Sequence, residues 1–248
     1  MGSSEKGPGG AAPDVTVVIP AYNEEEGLLK IFPSLSEVAL RENLGILVVD
    51  DGSSDGGLSG IGDFPGVRVV RHGVNRGYGA SVRTGVESCN TPYALIMDAD
   101  GQHDPADIPR LLALKGRCDM VVGARTPMPP ESPVKRAGRA VLGLIVSRAC
   151  GRAIPDFNSG FRLLRRETFL RYAGLYPDGF SISTTMVIAF LRGGHDVRFI
   201  PISVRPRRGG PSKVSLWRDG AATFLLILRA ARLLSTPVET TPDRGGRE

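Results

Sequence analysis

The chain has 248 residues, 41% of them hydrophobic and 23% charged, with a net charge of +5; that length and apolar share suit one large packed domain with extensions and exclude an intrinsically disordered chain. The basic excess gathers in Arg192, Arg198, Arg205, Arg207, Arg208 and Lys213, which is either a solvated face or the contact for an anionic partner such as a phosphate. Aromatic residues are 6% of the chain and do not interleave with that run, which excludes the stacking platform of a single-strand nucleic-acid binder, and the scattered Cys89, Cys118 and Cys150 form no CxxC pair, which excludes a disulfide framework and suits a reducing, cytoplasmic compartment.

Residues 1–13 are polar and rich in Gly and Pro and are expected to form a disordered lead. From Asp14 the text becomes regular: VTVVIP reads as a strand, AYNEEEGLLKIFPSL as a turn and helix, and GILVVDDGSSD as a second strand ending in acids. VRVVRH is a third strand, YGASVRTGVESC a helix, YALIMDAD a fourth strand, DPADIPRLLALK a helix with Pro near its start, and CDMVVGAR a fifth strand. This alternation predicts an α/β fold with a mostly parallel central sheet and helices on both faces. Beyond Thr126, four prolines at 127, 129, 130 and 133 mark a loop before a helical segment, VKRAGRAVLGLIVSRAC.

In such sheets ligands gather beyond the carboxyl ends of the strands. Here those ends carry Pro20 to Glu24, Asp50 and Asp51, Asp98 to Gln102, and Arg125. Asp98-Ala99-Asp100 puts two carboxylates on one side of an extended segment, with Gln102 in register, an oxygen set suited to Mg²⁺ or Mn²⁺. As a bare pattern D-x-D is also an ordinary turn, and DGSSD an Asx turn; what lifts the first is its place after a buried strand. A lone His103 in the same loop is more ordinary as a supporting residue than as a metal ligand. A dinucleotide fingerprint fails, since Gly77-Tyr78-Gly79 is followed by Val82 where the third small residue belongs, and no Walker motif occurs.

Taken together, VVIPAYNEEE, VVDDGSSD, Asn75-Arg76-Gly77, DADGQHDP and NSGFRLLRRE resemble the inverting glycosyltransferases of family 2 with a GT-A (nucleotide-diphospho-sugar transferase) fold, and among them the dolichol- and polyprenol-phosphate sugar synthases. The resemblance runs from Val15 to Leu228. It implies a nucleotide-sugar-binding half over 14–126, an acceptor-binding half over 127–234 and a disordered tail over 235–248. A UDP- or GDP-sugar would lie against Pro20, Tyr22, Glu24, Val49 and Asp51, with Asp98, Ala99, Asp100 and Gln102 at the ribose, diphosphate and metal. The cation, Mg²⁺ or Mn²⁺, would fall to Asp100 and Gln102, and Arg125, Arg207 and Lys213 would complete the phosphate site.

The resemblance implies a polyprenyl phosphate as the acceptor, with a soluble hydroxyl acceptor of natural-product or polysaccharide assembly as the alternative. A polyprenyl phosphate is already an anion, needs no strong base, and could be held by Arg125, Arg139, Arg207 and Lys213. A soluble hydroxyl acceptor needs a proton acceptor, for which Asp156 in PDFNSGFR is the candidate, unless Asp156 is a turn residue. AATFLLIL, from Ala221 to Leu228, is far short of the roughly 20 residues of a membrane span; its surroundings suit either a packed helix or one lying on a membrane face, so the expected location is cytoplasmic or peripheral on the membrane. A rival of another class is a catalytically silent nucleotide-sugar binding protein, or a sugar nucleotidyltransferase, which would carry a Gly-rich basic loop where this chain has AYNEEE.

Overall fold

Apolar β-branched runs build the centre of the molecule. The computed structural model describes residues 12–56, 61, 64, 66–128 and 132–205. Within them, β1 (Val15–Ala21), β2 (Gly45–Asp50), β3 (Val67–Arg71), β4 (Tyr93–Ile96), β5 (Met120–Arg125), β6 (Arg162–Arg165) and β7 (Val197–Ile202) form one sheet in the order β3-β2-β1-β4-β6-β5-β7. Pairings β1–β2, β2–β3, β1–β4 and β5–β7 are parallel, whereas β6 runs antiparallel to both β4 and β5. All strands but β6 therefore point the same way, and the ends of β1, β2, β4 and β5 share one edge. The order reverses at β1, with β2 on one side and β4 on the other, the crevice in which such sheets hold ligands.

The helices are α1 (Glu25–Arg41), α2 (Tyr78–Glu87), α3 (Ile108–Leu112), α4 (Pro133–Cys150), α5 (Arg166–Arg171) and α6 (Ile182–Arg192). Leu28, Ile31, Phe32 and Leu35 of α1 join Ile108 and Leu111 of α3 against one face of the sheet. Val82 and Val86 of α2, Phe169 of α5, Met186 and Phe190 of α6 and Val146 of α4 cover the other. Each such fully buried side chain contributes about 1.5–3 kcal/mol of transfer free energy.

The predicted helix over DPADIPRLLALK is shorter than expected. Asp104 accepts from the Ala106 amide to start a 3₁₀ turn, Pro105–Asp107, and α3 ends at Leu112. Pro109 at the start of α3 contributes no N–H, which fits the first turn of a helix but no interior position. The second half of the chain does not stand apart from the sheet, because it supplies β6 and β7. Arg207, Lys213 and the segment from Ala221 to Leu228 lie outside the described residues, as do the tail over 235–248 and nearly all of the expected lead. Among the described residues no helix is long and apolar enough to cross a membrane.

Candidate active site

Loops from three strand ends are stitched together before any ligand is considered. Asn23, held at a positive φ of 50°, donates its amide to Ser53 Oγ (3.0 Å) and accepts from the Ser54 amide (2.8 Å), so the β1 loop is tied to the β2 loop. Asp50 accepts from the Ser53 amide (2.9 Å), which is the Asx turn the DGS text suggests. Asp51 is 2% exposed. Its Oδ1 accepts from the Arg76 amide (2.9 Å) and pairs with His72 Nδ1 (2.7 Å), and its Oδ2 accepts from the Gly77 amide (2.8 Å). Expected at the base and ribose, this carboxylate is largely spent on holding the loop of residues 75–77.

Asp98 and Asp100 follow β4 and are partly exposed. Two glycines permit their position. A Cβ at Gly27, in the first turn of α1, would strike the Ala99 carbonyl, and one at Gly160 would strike the Asp98 carboxylate. Asp98 Oδ1 also accepts from the Tyr78 hydroxyl (2.8 Å) at the start of α2, and the Tyr78 ring stacks on Phe180 with centroids 5.1 Å apart. Burial, and then the Asp98 charge, push the Tyr78 pKa up, so Tyr78 stays a donor.

Asp100 Oδ1 accepts from the Gln102 amide (3.1 Å). The Gln102 side-chain nitrogen reaches the Arg205 carbonyl at 3.4 Å, and the Arg205 amide returns to the Gln102 carbonyl at 2.9 Å. That arrangement leaves the Gln102 amide oxygen for a further partner. Among the described residues there is no group of three or more His, Cys, Asp and Glu able to cage a metal. The pair Asp100 and Gln102 nevertheless fits a hard cation that takes its remaining ligands from water and a diphosphate, the habit of Mg²⁺-like ions.

Arg125, at the end of β5, grips Asp156. Its Nε donates to Oδ2 at 2.7 Å and its Nη2 to Oδ1 at 2.9 Å, while the amides of Arg125 (3.2 Å) and Asn158 (3.1 Å) fill the remaining acceptor positions. Burial works to raise the Asp156 pKa, but the Arg125 hydrogen bonds and charge outweigh it and hold the carboxyl below its usual range. The expectation of Asp156 as a general base meets a carboxylate with every lone pair engaged and its basicity reduced. Its place in the structure is that of an anchor for Arg125.

Sequence reasoning missed Arg162, which is wholly buried. It donates to the carbonyls of Ser159 (2.6 Å), Ser183 (2.5 Å) and Phe157 (2.9 Å), fixing the loop of residues 156–161 to α6. Burial lowers its pKa to about 10, still far above neutrality. His103 is 4% exposed, stacked on Phe161 (5.1 Å), and its Nδ1 has no hydrogen-bond partner. Burial pushes its pKa down to about 4, so the ring is neutral.

Of the other expected residues, Pro20 and Val49 sit opposite each other in the β1–β2 register, Pro20 buried and the Val49 side chain wholly inside the core. Tyr22 and Glu24 are partly exposed on the β1 loop, while Arg139 lies in α4 and not at a strand end. A separate cleft of about 490 Å³, lined by Asp14, Asn43 and Lys115 among others, lies at the opposite edge of the sheet and holds none of these residues.

Comparison with known proteins identifies the family and the fold. The family model described as "Glycosyl transferase family 2" matches residues 16–191. The chain belongs to that family. A relative at this level is the glycosyltransferase AglJ of Haloferax volcanii, 31% identical over 224 residues, covering 88% of this chain and 72% of that protein. Another is the undecaprenyl-phosphate 4-deoxy-4-formamido-L-arabinose transferase of Pseudomonas fluorescens, 33% identical over 240 residues, 93% of this chain and 66% of that protein. Among solved structures, glucosyl-3-phosphoglycerate synthase from Mycobacterium tuberculosis, in complex with Mn²⁺, UDP and phosphoglyceric acid, shares the fold. Its TM-score is 0.70 at 19% identity, over 88% of this chain and 78% of that one. This family 2 chain is thus a glycosyltransferase with the GT-A architecture.

Proposed function

We propose that this enzyme transfers a sugar, with inversion, from a UDP-sugar to a soluble acceptor that offers a hydroxyl and carries a phosphate, using Mg²⁺ or Mn²⁺; with Asp156 fully engaged, the hydroxyl proton passes to the acceptor's own phosphate as UDP departs. The observation that carries the reading is the convergence of Asp98, Asp100, Gln102 and Arg125 on one strand edge. The solved complexes of the synthase with Mn²⁺, UDP-glucose and phosphoglyceric acid, or with glycerol 3-phosphate in its place, support the donor, the cation and the acceptor class.

Asp100 and Gln102 would hold the cation, which when bound supplies positive charge to the departing diphosphate. Asp98, oriented by Tyr78 and Gly160, faces the donor as a fixed acceptor of hydroxyl hydrogen bonds. Arg125, locked in one direction by Asp156, presents a preorganised guanidinium to phosphate oxygens. A donor of this kind that needs no reorganisation is worth about 3–4 kcal/mol of barrier. Arg207 and Lys213 belong to the phosphate site in this proposal by the spacing of RRGGPSK, and the described chain reaches Arg205 paired to Gln102.

A second reading replaces the soluble molecule by a polyprenyl phosphate, held by Arg125, Arg139, Arg207 and Lys213. Two observations favour it. The Pseudomonas relative is named for an undecaprenyl-phosphate substrate, and a phosphate oxygen needs no base, which suits a site where Asp156 is fully engaged. Mass spectrometry of products from a panel of UDP- and GDP-sugars, offered phosphoglyceric acid, glycerol 3-phosphate or a short polyprenyl phosphate with Mn²⁺, decides between them. A soluble glycoside supports the first reading and a lipid-linked sugar the second. Turnover with GDP-sugars alone would overturn the donor assignment.

A further inference from the structure

Behind the strand ends, His72, Asp51, the Arg76 and Gly77 amides, Tyr78 and Asp98 follow one another in a series joined by hydrogen bonds and, between Gly77 and Tyr78, by the chain itself. His72, just past β3, is 9% exposed. Its Nδ1 meets Asp51 Oδ1 at 2.7 Å and its Nε2 meets Thr84 Oγ1 of α2 at 3.0 Å. Because a carboxylate only accepts, Nδ1 carries the proton, and in the neutral ring Nε2 accepts from the Thr84 hydroxyl. Asp51 in turn takes the amides of Arg76 (2.9 Å) and Gly77 (2.8 Å). The next residue is Tyr78, whose hydroxyl lies 2.8 Å from Asp98. His72 would not be sought on sequence grounds, since its partners lie 21 and 12 residues away along the chain.

We propose that His72 is a positioning residue for donor binding: through Asp51 it fixes the loop that delivers Tyr78, and so sets the direction of the Asp98 carboxylate. This rests on the reading that Asp98 meets the nucleotide-sugar. The series closes on itself, because Thr84 belongs to the same helix that Tyr78 begins. A rotation of the 76–77 loop would have to break the Asp51 amide bonds, and a turn of the Asp51 carboxylate that let the loop follow would have to break the His72 contact as well. Such buried networks are worth more together than their pairs suggest, and the coupling is measurable.

The test is a double-mutant cycle read as the dissociation constant for UDP with Mn²⁺, by calorimetry on the full chain. His72→Phe and Tyr78→Phe are each expected to weaken UDP about tenfold, and the double variant also about tenfold and not about a hundredfold. His72→Asn, whose amide nitrogen occupies the place of Nδ1 and keeps the donor to Asp51, should stay within about threefold of wild type. Should His72→Phe fail to fold, Thr84→Val removes the Nε2 partner alone, with a smaller loss that vanishes in the Tyr78→Phe background. Additive losses, or unchanged UDP affinity in His72→Phe beside a lowered melting temperature, would overturn the positioning role. Wild-type protein that does not bind UDP with Mn²⁺ at all would overturn the donor reading itself, and this proposal with it.

Discussion

Arg125 and Asp156 form a two-pronged ion pair across the end of β5, with N to O distances of 2.7 and 2.9 Å. The Asp156 side chain is 2% exposed and that of Arg125 24%, so the pair is mostly desolvated. Removing one partner from such a pair leaves a buried charge without compensation, at a cost of about 3 kcal/mol or more. Asp156→Asn should therefore lower stability by about that amount in chemical denaturation. Its loss of turnover should match that of Arg125→Met, with the double variant little worse than either. A base would behave differently: Asp156→Asn would abolish turnover far beyond Arg125→Met and erase the acid limb of the pH–rate profile.

Gly160 gives a sharper test of where Asp98 must sit. An added Cβ there would overlap the Asp98 carboxylate, whereas Gly174 has open space around it. Gly160→Ala should weaken UDP binding at least about tenfold and cost about 1–3 kcal/mol of stability from overpacking. Gly174→Ala should leave binding unchanged. Equal behaviour of the two variants in calorimetry would show that Asp98 does not need its present position.

The neutral His103 predicts a pH dependence of stability. Its folded pKa, about 4, lies below the ordinary value of about 6.5, so between those limits the unfolded chain binds the extra proton. Stability attributable to this ring is complete above about pH 6.5 and is lost as pH falls toward about 4, at up to about 1.4 kcal/mol per pH unit. Denaturation in chelator across that window should show the slope in wild type. His103→Phe should flatten it. A variant as steep as wild type would mean that other groups carry the dependence.

The strands β1, β2, β4 and β5 and the four strand-end loops were legible because buried strands write themselves as apolar runs, here broken off by acids at Asp50, Asp98 and Asp100, and the edge strand β3, VRVVR, by its β-branched valines. β6 was not, since RLLR is four residues long, begins and ends in arginine, and takes its strand character from lying between β4 and β5. Arg162 was quoted as part of a motif, yet nothing in composition says that an arginine will be wholly buried; charged side chains almost never are unless paired, and its partners are backbone carbonyls supplied by the fold. The partners of Asp51 and Asp156 were not legible for one reason. Sequence shows a carboxylate at a strand end, while only the fold shows which amides and guanidinium it is turned toward.

In the proposed mechanism Asp100, with Gln102, holds a divalent cation against the diphosphate of a UDP donor. Titration of UDP into the wild-type protein and Asp100→Ala, each in Mn²⁺ and in chelator, tests it most directly. Wild type should bind saturably with Mn²⁺ and lose that binding in chelator, and Asp100→Ala should be weaker by about a hundredfold or more even with the metal. Binding by Asp100→Ala as tight as that of wild type, or wild-type binding indifferent to the chelator, would contradict the account.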